Sequence, residues 1–146
     1  MQMSKKFIIG IDDSEDSFRA AEFAVSIAKT TDVSIHVIHV LEWSPYSFLT
    51  PSELDERHKR RAEELERANT ALVDPVIKKL ETTDHKITGV VKYGAIAETI
   101  SDYCDEIEAD QIFIARTGDS QLSTRLFGSV PSTLVQIAKV PVTVVP

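Results

Sequence analysis

Five short apolar runs rich in β-branched residues alternate with segments of helical period. The runs are KFIIGI (6–11), VSIHVIHVL (33–41), HKITGVVKY (85–93), QIFIA (111–115) and PVTVV (141–145). Each is short and bounded by turn residues, which reads as strand. Between them lie four segments with apolar residues at helical spacing. The first spans about 15–30 with Phe18, Ala21, Ala24, Val25 and Ala28. The second runs from 51 to about 81 with Leu54, Ala62, Leu65, Ala68, Leu72, Ile77 and Leu80. The third follows Gly94-Ala95 and carries Ile96, Ile100, Tyr103, Cys104 and Ile107. The last covers about 129–139 with Leu134, Val135 and Ile137. Strands joined by helical crossovers form parallel sheets covered on both faces, with right-handed connections. The expectation is a single-domain α/β fold over residues 1–146: a doubly wound, five-stranded parallel sheet of order 3-2-1-4-5 with helices on both faces. Thr50-Pro51-Ser52-Glu53 reads as a capping box with proline at the first helical position. Pro75 is expected to kink or interrupt the second helix.

Such a sheet binds ligands beyond the carboxyl ends of its strands, where the strand order reverses. The segments that follow the strands are Asp12-Asp13-Ser14, Leu41-Glu42-Trp43, Gly94-Ala95 and the stretch IARTGDSQLSTRLFGSV, residues 114–130. This last loop is long, since strand-to-helix loops usually run about 2–6 residues. Gly118 suits a tight turn or a close ligand. Gly128-Ser129 stands at a helix start, where N–H groups and the helix dipole favour an anion. Arg116 and Arg125 bring positive charge. No Gly-Lys-Ser/Thr occurs, so this is not a Walker A loop, and no G-x-G-x-x-G follows the first strand. On the residues alone, a plain surface loop with a glycine turn and a serine N-cap is an equal reading.

The charge balance narrows the partners. A net charge of −7 disfavours nucleic acid and anionic membranes, which need clustered basic charge. One cysteine, Cys104, permits no internal disulfide and fits a reducing, cytoplasmic setting. The first apolar run is cut off by Asp12 and Asp13, so it is not read as a signal peptide. No window approaches the roughly 20 apolar residues of a membrane helix. Cys104 reads as a small core residue, His36 and His39 as sheet residues, and His58 as solvated. Trp43 suits a cover for a pocket, loop packing or a subunit contact. Ser120, Ser123 and Thr124 read as polar loop residues. No Ser-His-Asp arrangement and no G-x-S-x-G elbow is present.

In these residues the chain resembles the universal stress protein family, in its ATP-binding subclass. The family signature Gly-x2-Gly-x9-Gly-Ser/Thr is matched by Ala115, Gly118 and Gly128-Ser129, with the nine-residue gap DSQLSTRLF intact. IDDSEDS is similar to the family's V-D-G-S-x-x-S, IHV to its L-H-V, KYGAIAETI to its G-x-P-x-x-x-I and PVTVV to its terminal strand. The resemblance spans nearly the whole chain. It implies Ile11 and Asp12 against the ribose or adenine, and the Val40 backbone on the adenine edge. It implies the backbones of Ala115, Arg116 and Gly118 along ribose and phosphates, and Gly128, Ser129 and Val130 holding the phosphates, with Mg2+ bridging them.

Three positions depart from the family pattern. Ala115 replaces a glycine, which is harmless in extended backbone but resists positive φ. Asp13 often is glycine and brings a second carboxylate, either for a metal or against the phosphates. Pro131 is expected to start the last helix itself, leaving the Gly128, Ser129 and Val130 amides for phosphate. The resemblance further implies a homodimer through the C-terminal strand, with Val142, Val144 and Val145 near the twofold axis. The function implied is a nucleotide-dependent stress-response or signalling dimer with an unknown protein partner. The sequence offers no base to activate water and no clearly placed arginine finger, so hydrolysis is expected to be slow or absent. A non-nucleotide interaction dimer of the same fold is the alternative, favoured by Ala115 and Asp13. An adenylyl transferase would want a H-x-G-H motif, which is missing.

Overall fold

The computed structural model describes residues 5–28, 32–42, 50–81, 85–117 and 129–146. In chain order the elements are β1 (Lys5–Gly10), α1 (Glu15–Ala28), β2 (Val33–Glu42), α2 (Pro51–Ala68), a π-helical turn (Asn69–Val73), α3 (Asp74–Leu80), β3 (Ile87–Gly94), α4 (Ile96–Ile107), β4 (Gln111–Ala115), α5 (Ser129–Ile137) and β5 (Val142–Val145). The five strands form one sheet of order β3-β2-β1-β4-β5, every pair parallel. This is the doubly wound arrangement expected from the sequence.

Strand alternation sorts the core into two faces. Along β2, Val33, Ile35 and Val37 are buried toward α1 and α3, whereas Ile38 and Val40 are buried toward α4 and α5. A strand apolar on both sides is what a parallel interior position requires. On the first face Phe7, Ile9, Ile35, Val37 and Phe113 meet the small residues Ala21, Ala24 and Ala28 of α1. On the second, Ile8, Ile38, Ile112 and Ile114 meet Ala97, Ile100 and Cys104 of α4 and Leu134 of α5. Cys104 is core, as its spacing suggests, and burial pushes its thiol pKa up.

The α2–α3 segment departs from its sequence reading. Its start is as expected: Thr50 Oγ1 accepts the Glu53 N–H at 3.3 Å, and the Glu53 carboxylate accepts the Thr50 N–H at 3.1 Å. Yet α2 buries no residue, and Leu54 and Ala62 are exposed rather than core. The half-buried positions are Arg57, Arg61, Leu65 and Ala68. The α-helix is interrupted just ahead of Pro75, as its sequence position leads one to expect. The helix widens ahead of it, so that the Asp74 N–H reaches Asn69 O, five residues back. The wide turn absorbs the proline ring that would otherwise crowd the preceding turn. That turn lies directly on β3 because residue 89 is glycine. A Cβ there would meet Val73 Cγ1 at 2.3 Å and Ile77 Cδ1 at 2.7 Å. Further along β3, the Tyr93 hydroxyl donates to the Glu64 carboxylate, and the Arg61 guanidinium lies 5.3 Å from the Tyr93 ring centroid. Lost hydration, then the Glu64 bond, push the Tyr93 hydroxyl pKa up to about 12.

Candidate functional site

The crevice at the order reversal is built by unequal strand lengths. The last rung between β1 and β2 is Ile11 N–H to Ile38 O at 2.9 Å. β2 continues to Glu42 beside β3, and β4 continues to Ala115 beside β5. In a strand the backbone polar groups of alternate residues face the same neighbour. Val40 therefore presents its N–H and C=O on the side that Ile38 uses, two residues beyond that rung. Its own strand partner, Lys92, is on the opposite side.

The turn after β1 is fixed by its hydroxyls. Asp12 Oδ1 accepts the Ser14 N–H at 2.9 Å and the Ser14 hydroxyl. Ser14 Oγ accepts the Ser17 N–H at 3.1 Å. The buried Ser17 hydroxyl accepts the Asp12 N–H at 3.1 Å and lies 2.9 Å from Asp12 O. Asp and Ser side chains that bond nearby backbone favour such a turn and helix start. Asp12 is half-buried and Asp13 exposed. Ile11 is buried, and its carbonyl accepts a hydrogen bond from His39 Nδ1–H at 2.8 Å, which fixes the ring's tautomer. Asp16 accepts the Thr117 hydroxyl at 2.6 Å and is paired through its other oxygen with Arg19. The His39–Ile11 and Thr117–Asp16 contacts link distant segments, and sequence reasoning gave neither His39 nor Thr117 a place at the site. The only sequence signal was that His39 and Thr117 sit at the carboxyl ends of strands.

At the β4 exit, Ala115 is buried, extended and paired with Val145. Among the described residues the positive-φ positions are Glu108 and Gly94 alone, so the Ala115 methyl carries no backbone penalty. The Arg116 N–H donates to Val145 O at 2.8 Å, which extends the β4–β5 pairing by one rung. The Arg116 side chain is exposed.

The last helix begins at Ser129, as the helical spacing over about 129–139 indicates, and not at Pro131, where the proline was expected to start it. The first-turn amides of a helix have no acceptor within it, so proline at the third position forfeits nothing. Ser129 and Val130 still present their amides at the helix start, while the Val130 side chain packs on the α4–α5 core. Gly118, Gly128, Arg125, Trp43, Ser120, Ser123 and Thr124 lie outside the described residues. At the end of β3, Gly94 has φ +152°, and a Cβ there would meet Thr99 Oγ1 at 2.3 Å, so glycine is required twice over.

β5 forms the sheet edge. Val142 and Val144 face the α4–α5 core, while Val145 points to the other side. Among the described residues no group of three or more His, Cys, Asp or Glu side chains is placed to hold a metal ion. No described helix is long and apolar enough to cross a membrane.

A profile of the universal stress protein family matches residues 3–146. The chain belongs to the universal stress protein family. It is 32% identical over 141 residues to universal stress protein MJ0531 of Methanocaldococcus jannaschii, covering 97% of this chain and 81% of that one. Its fold is similar to universal stress protein UspA from Lactobacillus plantarum, with TM-score 0.83, 23% identity and full coverage of both chains. Two further universal stress protein structures share the fold. One, in complex with cAMP, has TM-score 0.70 and 20% identity, covering 97% of this chain and 96% of that one. The other, from Archaeoglobus fulgidus in complex with dAMP, has TM-score 0.61 and 21% identity, with full coverage of both chains.

Proposed function

We propose that this universal stress protein binds ATP in the crevice at the carboxyl ends of β1, β2 and β4, and acts as a nucleotide-dependent stress or signalling homodimer. The observation that carries this reading is the Val40 backbone edge, set beyond the end of β1 where an adenine can pair with it. Ile11 and Asp12 stand at the ribose side. Extended Ala115 lets a ligand pass close to the backbone, and the start of α5 at Ser129 and Val130 offers amides to phosphate. Gly118 and Gly128 complete the phosphate loop. Mg2+ would bridge the phosphates and offset charge that Asp12, Asp13 and Asp16 oppose. Relatives in complex with cAMP and dAMP support the nucleotide class. The dimer forms through β5, whose outer edge is covered when a second copy pairs there, with Val142, Val144 and Val145 near the axis. Exposed Phe23 and Ile27 of α1 add apolar surface beside this edge, since α1 packs against β5.

Purified protein is heat-precipitated and the supernatant assayed for adenine nucleotide. Thermal shifts are then recorded with ATP, AMP and cAMP, with and without Mg2+. Ligand at about 100 times its dissociation constant adds roughly 2.7 kcal/mol. Absence of both nucleotide and shift refutes the proposal. It would leave the second reading, a protein-interaction dimer, which the exposed Asp13 carboxylate beside Asp12 favours.

A further inference from the structure

At the opposite, amino-terminal end of the sheet, the α4 face changes character. Nearer the centre that face carries Ile8, Ile38 and Val90. Toward the end it carries polar groups in register across three strands. Lys6 of β1 stands beside Ser34 of β2, and His36 of β2 beside Thr88 of β3. Lys86 accepts the Ile35 N–H on its carbonyl at 2.8 Å, which sets it level with Ser34. A row Lys6–Ser34–Lys86 thus crosses strands about 4.8 Å apart, with His36 and Thr88 in the next row.

The imidazole is held on both sides. Ser34 Oγ lies 3.0 Å from His36 Nε2, and Thr88 Oγ1 lies 3.0 Å from Nδ1. The charges acting on the half-buried ring are both cationic: burial first, then Lys6 and Lys86, hold its pKa below the usual value. Lys6 Nζ donates one N–H to Ile107 O at 2.8 Å, which steadies the ammonium and leaves two donors. Asp110, in the same corner, is turned to the Lys6 backbone N–H at 2.8 Å. Thr88 and Lys86 are exposed, so the row is open to solvent. Two ammonium groups with a hydroxyl donor between them match one chemistry, a tetrahedral oxyanion.

We propose that Lys6, Ser34, Lys86, His36 and Thr88 form a second anion site that takes a phosphate group, as free phosphate or as a phosphomonoester. The lysines supply charge, and the hydroxyl that accepts the imidazole N–H keeps its own O–H to donate to the anion. A bound anion offsets the two cations and makes His36 easier to protonate. The site lies at the other end of the strands from the crevice and does not depend on nucleotide binding there.

The test follows the His36 Hε1 resonance of the full chain against pH, at an ionic strength of about 0.15 M held constant with chloride. Inorganic phosphate and glycerol 3-phosphate are added in separate arms. The expected result is a saturable shift with an upward move of the His36 pKa, lost in Lys86→Gln and weakened in Ser34→Ala. Exposed Lys86 keeps the test valid should Lys6→Gln, which also releases Ile107 O, fail to fold. A response in one arm alone identifies the source of the phosphate group. No saturable shift in either arm, or an undiminished shift in Lys86→Gln, overturns the proposal.

Discussion

Gly89→Ala isolates the contact between the π-helical turn and the sheet. The added methyl would sit 2.3 Å from Val73 Cγ1 and 2.7 Å from Ile77 Cδ1, both far inside van der Waals contact. Val73 is fully buried, so its side chain has no free space to swing into. Either the helix lifts from β3 or the two side chains leave their rotamers, at about 1–3 kcal/mol. A second term opposes this. Replacing glycine by alanine restricts the unfolded chain and stabilises by about 0.4–1 kcal/mol where the backbone permits it. The clash wins, leaving a net loss of roughly 1–2 kcal/mol. For a chain of this size that lowers Tm by about 2–6 °C. Thermal and urea unfolding measure it. Val73→Ala makes room for the methyl, so the double variant should be less destabilised than the sum of the singles, by at least about 0.5 kcal/mol. An unchanged or raised Tm for Gly89→Ala, or strict additivity with Val73→Ala, refutes the packing argument.

The lowered His36 pKa sets a pH dependence. The unfolded chain binds the proton more readily, so stability present above about pH 6.5 is lost as pH falls through the folded value. Urea midpoints in phosphate-free buffer should show this slope, and His36→Gln should flatten it. Thr50→Ala removes a cap worth about 1 kcal/mol, but α2 buries no residue. The loss should therefore appear as faster amide exchange in the first turns of α2, with Tm nearly unchanged; a large Tm drop would contradict this. Thr117→Val removes the Asp16 bond at the root of the loop without altering charge. Nucleotide affinity should fall by roughly 1 kcal/mol, about fivefold, and Thr117→Ser should restore it. Equal affinity in Thr117→Val and the parent would exclude the positioning role.

The strands were legible because a parallel interior strand must be apolar on both faces, and β2 writes that out at successive positions. The second helix was less legible, for a reason visible in its contacts. The inward positions run Arg57, Arg61, Leu65 and Ala68, then shift by one to Val73, Val76 and Leu80. The extra residue of the π turn rotates the face, and no sequence period marks it. Leu54 misleads because it keeps the helical spacing yet stands exposed in the first turn of α2. At the site, Ala115 was the open question that the backbone answers, since strand geometry needs no positive φ there. The helical spacing placed the start of α5, and the contrary signal of Pro131 failed because a proline in the first turn removes no hydrogen bond. Asp16 and Thr117 could not be paired in advance, because a hydrogen bond across 101 residues leaves no local pattern.

The strand order has a consequence for how the chain assembles. β1 leaves the ribosome early and ends at the centre of the sheet, yet its β4 side is filled only by residues such as Gln111, Ile112 and Phe113. Among the described residues, the buried core on the α1–α3 face is drawn from residues up to and including Leu80 with one exception, Phe113, whose ring centroid lies 5.0 Å from that of Phe7. A three-stranded intermediate of β1, β2 and β3 can thus bury most of one face while synthesis continues. Its exposed β1 edge and the empty place beside Phe7 make it prone to misassociation until β4 arrives. Among the four strand pairs, β1–β4 closes the longest loop.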